Sequence, residues 1–273
     1  MNERKRTIAD RLEGLYGLEG RVAAVTGAAG HLCGVMCEAL AACGASVAVI
    51  DRDDDGRARV VDKIREAGGS AIDVSADVTK KHDHEESLRR IVDEFGKVDI
   101  LINNAGTATS NPLSEVKLQE WNHIMAVNAT GTFLCTQAMY PGMVNRGVGA
   151  YRECRRHCWN RRGPGALGVR SGRARRSWVH EGDCQGGRGG TGVTVNAVCP
   201  GYVDTPLTDE TVARRMQRTG QAWHEAMDAI LEESGQPRLI RAEEVAEVIM
   251  PLLYDDASDT NGQLVVIDGN DGP

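Results

Sequence analysis

The stretch Val22–Gly34, VAAVTGAAGHLCG, decides how this chain folds. Its first five residues read as a short buried strand that ends at Thr26, because apolar and β-branched side chains fill it without a helical period. Gly27 and Gly30 follow, and the helical pattern GVMCEALAACGA starts at Gly34. A strand that passes through glycines into a helix gathers free backbone N–H groups and the positive end of the helix dipole at one point, which suits a pyrophosphate. Cys33 stands where such a turn commonly carries its third glycine, with Gly34 just beyond it.

Downstream, short apolar runs alternate with longer helical patterns. SVAVIDR is a second strand, DDGRARVVDKIREAGG a helix ending in glycines, SAIDVSADV a third strand, KHDHEESLRRIVDEFG a helix, and VDILINNAG a fourth strand. GVTVNAVCPG is a later strand with a Pro-Gly stop, AEEVAEVIMPLLY a helix, and GQLVVIDG a last strand. Strand and helix in alternation predict an α/β, doubly wound parallel sheet of Rossmann-like type. We divide the chain into an N-terminal extension, residues 1–17, and one domain, 18–273, with an irregular segment at 146–190.

Composition narrows the function. A chain of 273 residues with 41% hydrophobic content can bury one sizeable core. A net charge of −7 argues against nucleic acid or an anionic membrane as partner, since such binding needs basic surface. The charged start, MNERKRTIAD, reads as neither signal peptide nor membrane span, so a cytoplasmic protein is expected. The eight cysteines show no framework spacing and are expected to be reduced thiols. His82 and His84 open a helix and are expected to be solvated, while Met125, Met139 and Met143 read as core filling. No metal site is expected.

Asp51 closes the second strand about 25 residues past the glycine turn. A carboxylate there can accept from both ribose hydroxyls and repels a 2′-phosphate, so NAD is expected and NADP less so.

TGAAG, Asp51, ADV with Asp77, NNAG at Asn103 to Gly106, VNATGTF with Asn128, GVTVNAVCPGYVDTP and GQLVVIDG together resemble the short-chain dehydrogenase/reductase superfamily in its single-domain form, over roughly residues 18–145 and 191–269. The resemblance implies an NAD-dependent oxidoreductase that interconverts a secondary alcohol and a carbonyl compound. It implies a cofactor site of Thr26, Gly27, Gly30, Leu32 and Asp51, with Asp77 and Val78 beside the adenine and Asn104, Ala105 and Gly106 along the central strand. Pro200, Gly201, Val203 and Thr205 would hold the nicotinamide end, and Asn128 would hold a proton-relay water. Relatives are usually homo-oligomers.

The family then requires a serine and a Tyr-x-x-x-Lys pair between the Asn128 and Pro-Gly motifs, and here the text changes. Tyr151 is followed at the fourth place by Arg155, and no lysine occurs after Lys117. Tyr151 is the candidate proton donor, but arginine neither matches lysine's geometry nor gives up a proton. Family spacing puts the donor and its lysine near Gly168 and Gly172. Ser171 and Ser177 lie at no recognisable strand end.

Of the 40 residues Tyr151–Gly190, 24 are Arg, Gly, Cys or Trp, whose codons mostly carry a middle guanine. A GC-rich gene read one base out of register yields such a composition. Reading YRECR from the second base of each codon admits the apolar strand IVNV, and reading HEGDCQG the same way admits a plausible helix. Neither the serine nor the lysine returns. A basic nucleic-acid insertion would show periodicity, and a metal site of Cys154, His157, Cys158 and Cys184 lacks the usual Cys-x-x-Cys spacing, so a shifted or decayed frame is the preferred account. The glycines and Pro164 oppose a helix there, which puts oligomer assembly in question. The rival function is a catalytically dead nucleotide-binding protein.

Overall fold

The computed structural model describes residues 17–108, 111, 113–147, 149–154, 192–254, 257 and 259–270. Seven strands form one parallel sheet in the order β3-β2-β1-β4-β5-β6-β7. They are β1 (Val22–Thr26), β2 (Ser46–Asp51), β3 (Ser70–Ser75), β4 (Ile100–Asn103), β5 (Gly149–Cys154), β6 (Val193–Pro200) and β7 (Leu264–Ile267). The chain winds outward from β1 to β3, then crosses back to lay β4 on the other side of β1. That reversal opens a crevice at the carboxyl ends of β1 and β4, the place where doubly wound sheets hold ligands.

Helices cover both faces. α1 (His31–Ala42), α2 (Asp54–Glu66) and α8 (Ala242–Ile249) line one, and α3 (Lys81–Phe95) and α5 (Gly131–Arg146) the other. The strands divide their side chains accordingly, with a period of two. Ala23 and Val25 join the core of Met36, Leu40, Ile64 and Ile249, whereas Val22 and Ala24 join that of Ile91, Met139 and Met143. Both clusters are built of apolar side chains, and β1, β2 and β4 are hydrophobic on both faces, as a covered parallel sheet demands. α4 (Leu118–Met125) runs through a π-helical turn at Ala126–Thr130 into α5, and α6 (Pro206–Thr219) and α7 (Trp223–Ser234) form a helical pair between β6 and α8.

Two expectations change. The segment 146–190 is not irregular from its start: α5 reaches Arg146, and Gly149–Cys154 is strand β5, hydrogen-bonded to β4 and β6. The sheet supplies two templates for that backbone, so ladder pairing prevails over side-chain pattern. Residues 155–190 lie outside those described. His84 is buried, 1% exposed, rather than solvated; its Nε2 donates to the Val78 carbonyl at 2.8 Å. α3's inner face therefore carries a polar group with a partner. Gly34, just past Cys33, faces α2, where an added Cβ would stand 3.4 Å from Val60, an ordinary van der Waals contact. Met139 and Met143 are core residues as expected, Met125 is half-buried, and Cys33, Cys37, Cys43, Cys135 and Cys199 are buried thiols. Burial pushes the Cys135 thiol up to about 12, which leaves it inert.

Candidate functional site

The crevice is a cleft of about 450 Å³. Its floor is the glycine turn. Gly27 has φ +70°, and a Cβ there would stand 2.8 Å from the Ala105 Cα, so only glycine lets β1's exit pass β4's. Thr26 lies beneath this crossing and lines no wall; its Oγ1 accepts from the Asn104 and Ala105 N–H groups at 3.2 and 3.3 Å. Gly30 caps α1 with no side-chain bond, and the first turn of α1 holds no acid. The positive end of a 12-residue helix thus faces the cleft without a resident carboxylate, which fits a pyrophosphate.

Asp51 lines the cleft, but its carboxylate is already engaged. Oδ2 accepts from Ala29 N–H at 3.1 Å, and Oδ1 accepts from the N–H groups of Arg52 and Asp53 at 2.7 and 3.1 Å. It is therefore a fixed acceptor that also ties the glycine turn to β2. Arg57, 4% exposed, holds the same corner from behind by donating to the Asp51 carbonyl at 2.9 Å and to Asp54 Oδ1 at 2.6 Å.

Asp77 and Val78 form the next wall. Thr79 donates to Asp77 Oδ1 through its N–H at 3.0 Å and its hydroxyl at 2.7 Å, and these bonds hold the Asp77 carboxyl below the usual carboxylate range. Val78 is pressed against Gly131, where a Cβ would stand 2.9 Å from the Val78 Cγ2. Asn128 sits in the π turn and pairs with Thr107 twice, accepting from its N–H at 2.9 Å and donating to its carbonyl at 2.8 Å. That pair fastens the loop after Gly106 to the helical side of the cleft.

Leu32, Asn104, Ala105, Gly106, Pro200, Val203 and Thr205 also line the cleft. Gly201 does not. The space where its side chain would project is filled by the amide of Gln236, with Oε1 only 2.3 Å from an added Cβ. Tyr151 occupies the register position between Leu101 and Val195 in β5. Arg155, Gly168, Ser171, Gly172 and Ser177 lie outside the described residues. Sequence reasoning passed over His31, Arg52, Thr107, His123 and Glu210, which line the cleft, and Gln236 behind it. Thr107 adjoins the NNAG motif and Arg52 adjoins Asp51, so adjacency was an available signal; for His123, Glu210 and Gln236 the sequence carries none.

The chain matches a family profile described as short chain dehydrogenase over residues 21–150, and one described as enoyl-(acyl carrier protein) reductase over residues 187–269. The short-chain reductase protein NovJ of Streptomyces niveus is 30% identical, over 91% of this chain and 92% of its own length. The chain belongs to the short-chain dehydrogenase/reductase superfamily. The chain is also 28% identical to the (2S)-[(R)-hydroxy(phenyl)methyl]succinyl-CoA dehydrogenase subunit BbsD of Thauera aromatica, over 93% of this chain and 97% of that one. A variant of actinorhodin polyketide ketoreductase, solved with NADPH, superimposes with a TM-score of 0.82 at 28% identity, covering 91% of this chain and 96% of that one. By family the protein is an NAD(P)-dependent oxidoreductase. The two profiles leave residues 151–186 between them unmatched. Among the described residues no helix is long and apolar enough to cross a membrane.

Proposed function

We propose that the cleft binds NAD and is built for hydride transfer between a secondary alcohol and a carbonyl compound. The observation that carries this reading is convergence. The uncapped α1 terminus, the Asp51 acceptor, the Asp77–Val78 wall and the Asn128 turn come from four separate stretches and face one cleft. The pyrophosphate would lie at Gly27 and Gly30, the ribose at Asp51, the adenine beside Asp77 and Val78, and the nicotinamide toward Pro200, Val203 and Thr205. Asn104, Ala105 and Gly106 would support the cofactor from β4. The bound nicotinamide supplies the hydride acceptor or donor. Asp51 favours NAD because a second negative charge beside its carboxylate is repelled.

Proton transfer needs the segment that begins within β5, and there we propose that residues 151–190 are read one base out of register. The unmatched span falls at the break in composition, while relatives align over nearly their full lengths, so spacing is kept where pattern is lost. β5 supports the same reading. Arg152 and Glu153 hold register between Ile102 and Asn196, and between Asn103 and Ala197, and the letters of this central strand depart from the apolar run that the other inner strands show. The chain as written is then a nucleotide binder with turnover near background, in which Tyr151 and Asn128 do not complete a proton relay. Resequencing the gene across codons 145–191, and assaying the written and frame-restored chains with NAD and a panel of secondary alcohols, tests this. Equal, robust turnover by both chains would refute the register shift.

A further inference from the structure

Gln236 follows α7 and is 5% exposed, and its side chain makes three hydrogen bonds. Oε1 accepts from the Tyr202 N–H at 2.7 Å, while Nε2 donates to the Tyr202 carbonyl at 2.8 Å and to the Arg238 carbonyl at 2.6 Å. The amide thus engages both main-chain groups of Tyr202, as a neighbouring strand would. Next to it Val203 forms a parallel bridge with Ile240, closed by Ile240 N–H to the Tyr202 carbonyl at 3.0 Å and Asp204 N–H to the Ile240 carbonyl at 2.8 Å.

The excursion through α6 and α7 therefore leaves and returns at one neck. Beyond the neck it has its own apolar cluster, Val212, Ala226, Met227 and Ile230, separate from the two sheet cores. On the cleft side the same main chain carries Val203 and Thr205 into the cleft wall. Gly201 is confined at this point because any side chain would drive into the Gln236 amide.

We propose that Gln236 is a positioning residue for the nicotinamide-end wall: its amide holds the main chain at Gly201–Tyr202, and through it sets where Val203 and Thr205 stand. The opposite wall, Asp51 and Asp77, rises from β2 and from the loop after β3 and does not depend on it. The inference rests on the nucleotide reading above and divides the cleft into two ends with separate supports.

The test compares NADH with ADP-ribose, which lacks the nicotinamide, by titration into the unmodified chain and into Gln236→Leu. NADH affinity should fall about tenfold, the scale of losing buried hydrogen bonds, while ADP-ribose affinity stays within about twofold. Gly201→Ala attacks the same contact from the other partner and should give the same split even where Gln236→Leu fails to fold. A general structural defect would weaken both ligands together. Equal losses for both ligands in the variants, or no loss for either, would overturn the positioning role alone. Failure of the unmodified chain to bind either ligand would overturn the nucleotide reading and this inference with it.

Discussion

Gly27 and Ala105 pass so closely that a Cβ on Gly27 would stand 2.8 Å from the Ala105 Cα and 2.9 Å from its nitrogen. Gly27 also has φ +70°, where an L side chain is strained. Gly27→Ala should therefore cost about 1–3 kcal/mol or more and displace the floor of the cleft. Urea unfolding and NADH titration measure the two effects. A variant with unchanged midpoint and affinity would show that β1 and β4 can part without loss.

Asp51 reads as the NAD-selecting group. Isothermal titration should find NADH bound more tightly than NADPH, and Asp51→Ala should shrink the difference. The variant also frees the Ala29 N–H from its acceptor, so NADH affinity itself should drop by about tenfold. Equal affinities of the unmodified chain for the two cofactors would sink the assignment.

Asn128 and Thr107 exchange two hydrogen bonds across the cleft, so Asn128→Ala leaves a main-chain donor and acceptor without that side chain. The expected loss is about 1–3 kcal/mol, read as a lower urea midpoint. Asn128→Asp keeps the acceptor for Thr107 N–H but sets a second carboxylate oxygen against the Thr107 carbonyl, with no proton between them, so it should cost at least as much. A variant Asn128→Asp as stable as the unmodified chain would show that the donor bond to the Thr107 carbonyl carries nothing.

Glu244 receives a bidentate pair from Arg238 at 2.7 and 2.9 Å, together with the Arg241 N–H at 2.7 Å, and these bonds lower its pKa to about 2. A folded pKa below the unfolded value means that the stabilisation is present above the unfolded pKa, near 4.5, and is lost as pH falls toward about 2. The contribution is at most about 3 kcal/mol, reduced by solvent because Arg238 is 39% exposed. Glu244→Gln should thus be less stable than the unmodified chain at pH 7, with the gap closing toward pH 2. A gap that stays constant across that range would exclude the linkage.

The turn between β1 and α1 was legible because its requirements are local. A strand, two glycines and a helix must succeed one another along the chain, and Gly27 and Gly30 have no other economical use. Asp51 was legible for the same reason, as a strand end at fixed distance from that turn. The parallel, doubly wound sheet followed from alternation, since right-handed crossovers leave strands and helices in alternation few arrangements. Gln236, Arg57 and His84 were not legible. Each is a polar residue whose burial depends on a backbone group it meets in three dimensions: Tyr202, Asp51 and Val78. Nothing in the letters around Gln236 distinguishes it from a solvated turn residue.

What the sequence determined alone is the α/β winding, the glycine turn and the break in text after Ala150, because these are properties of neighbouring residues and of composition. The tertiary structure decided the rest. It drew Tyr151–Cys154 into the sheet against their side-chain pattern, because β4 and β6 both offered that backbone its hydrogen bonds. It also moved Gly201 from the cleft to a neck held by Gln236, because a close approach between distant segments is fixed only when both are packed.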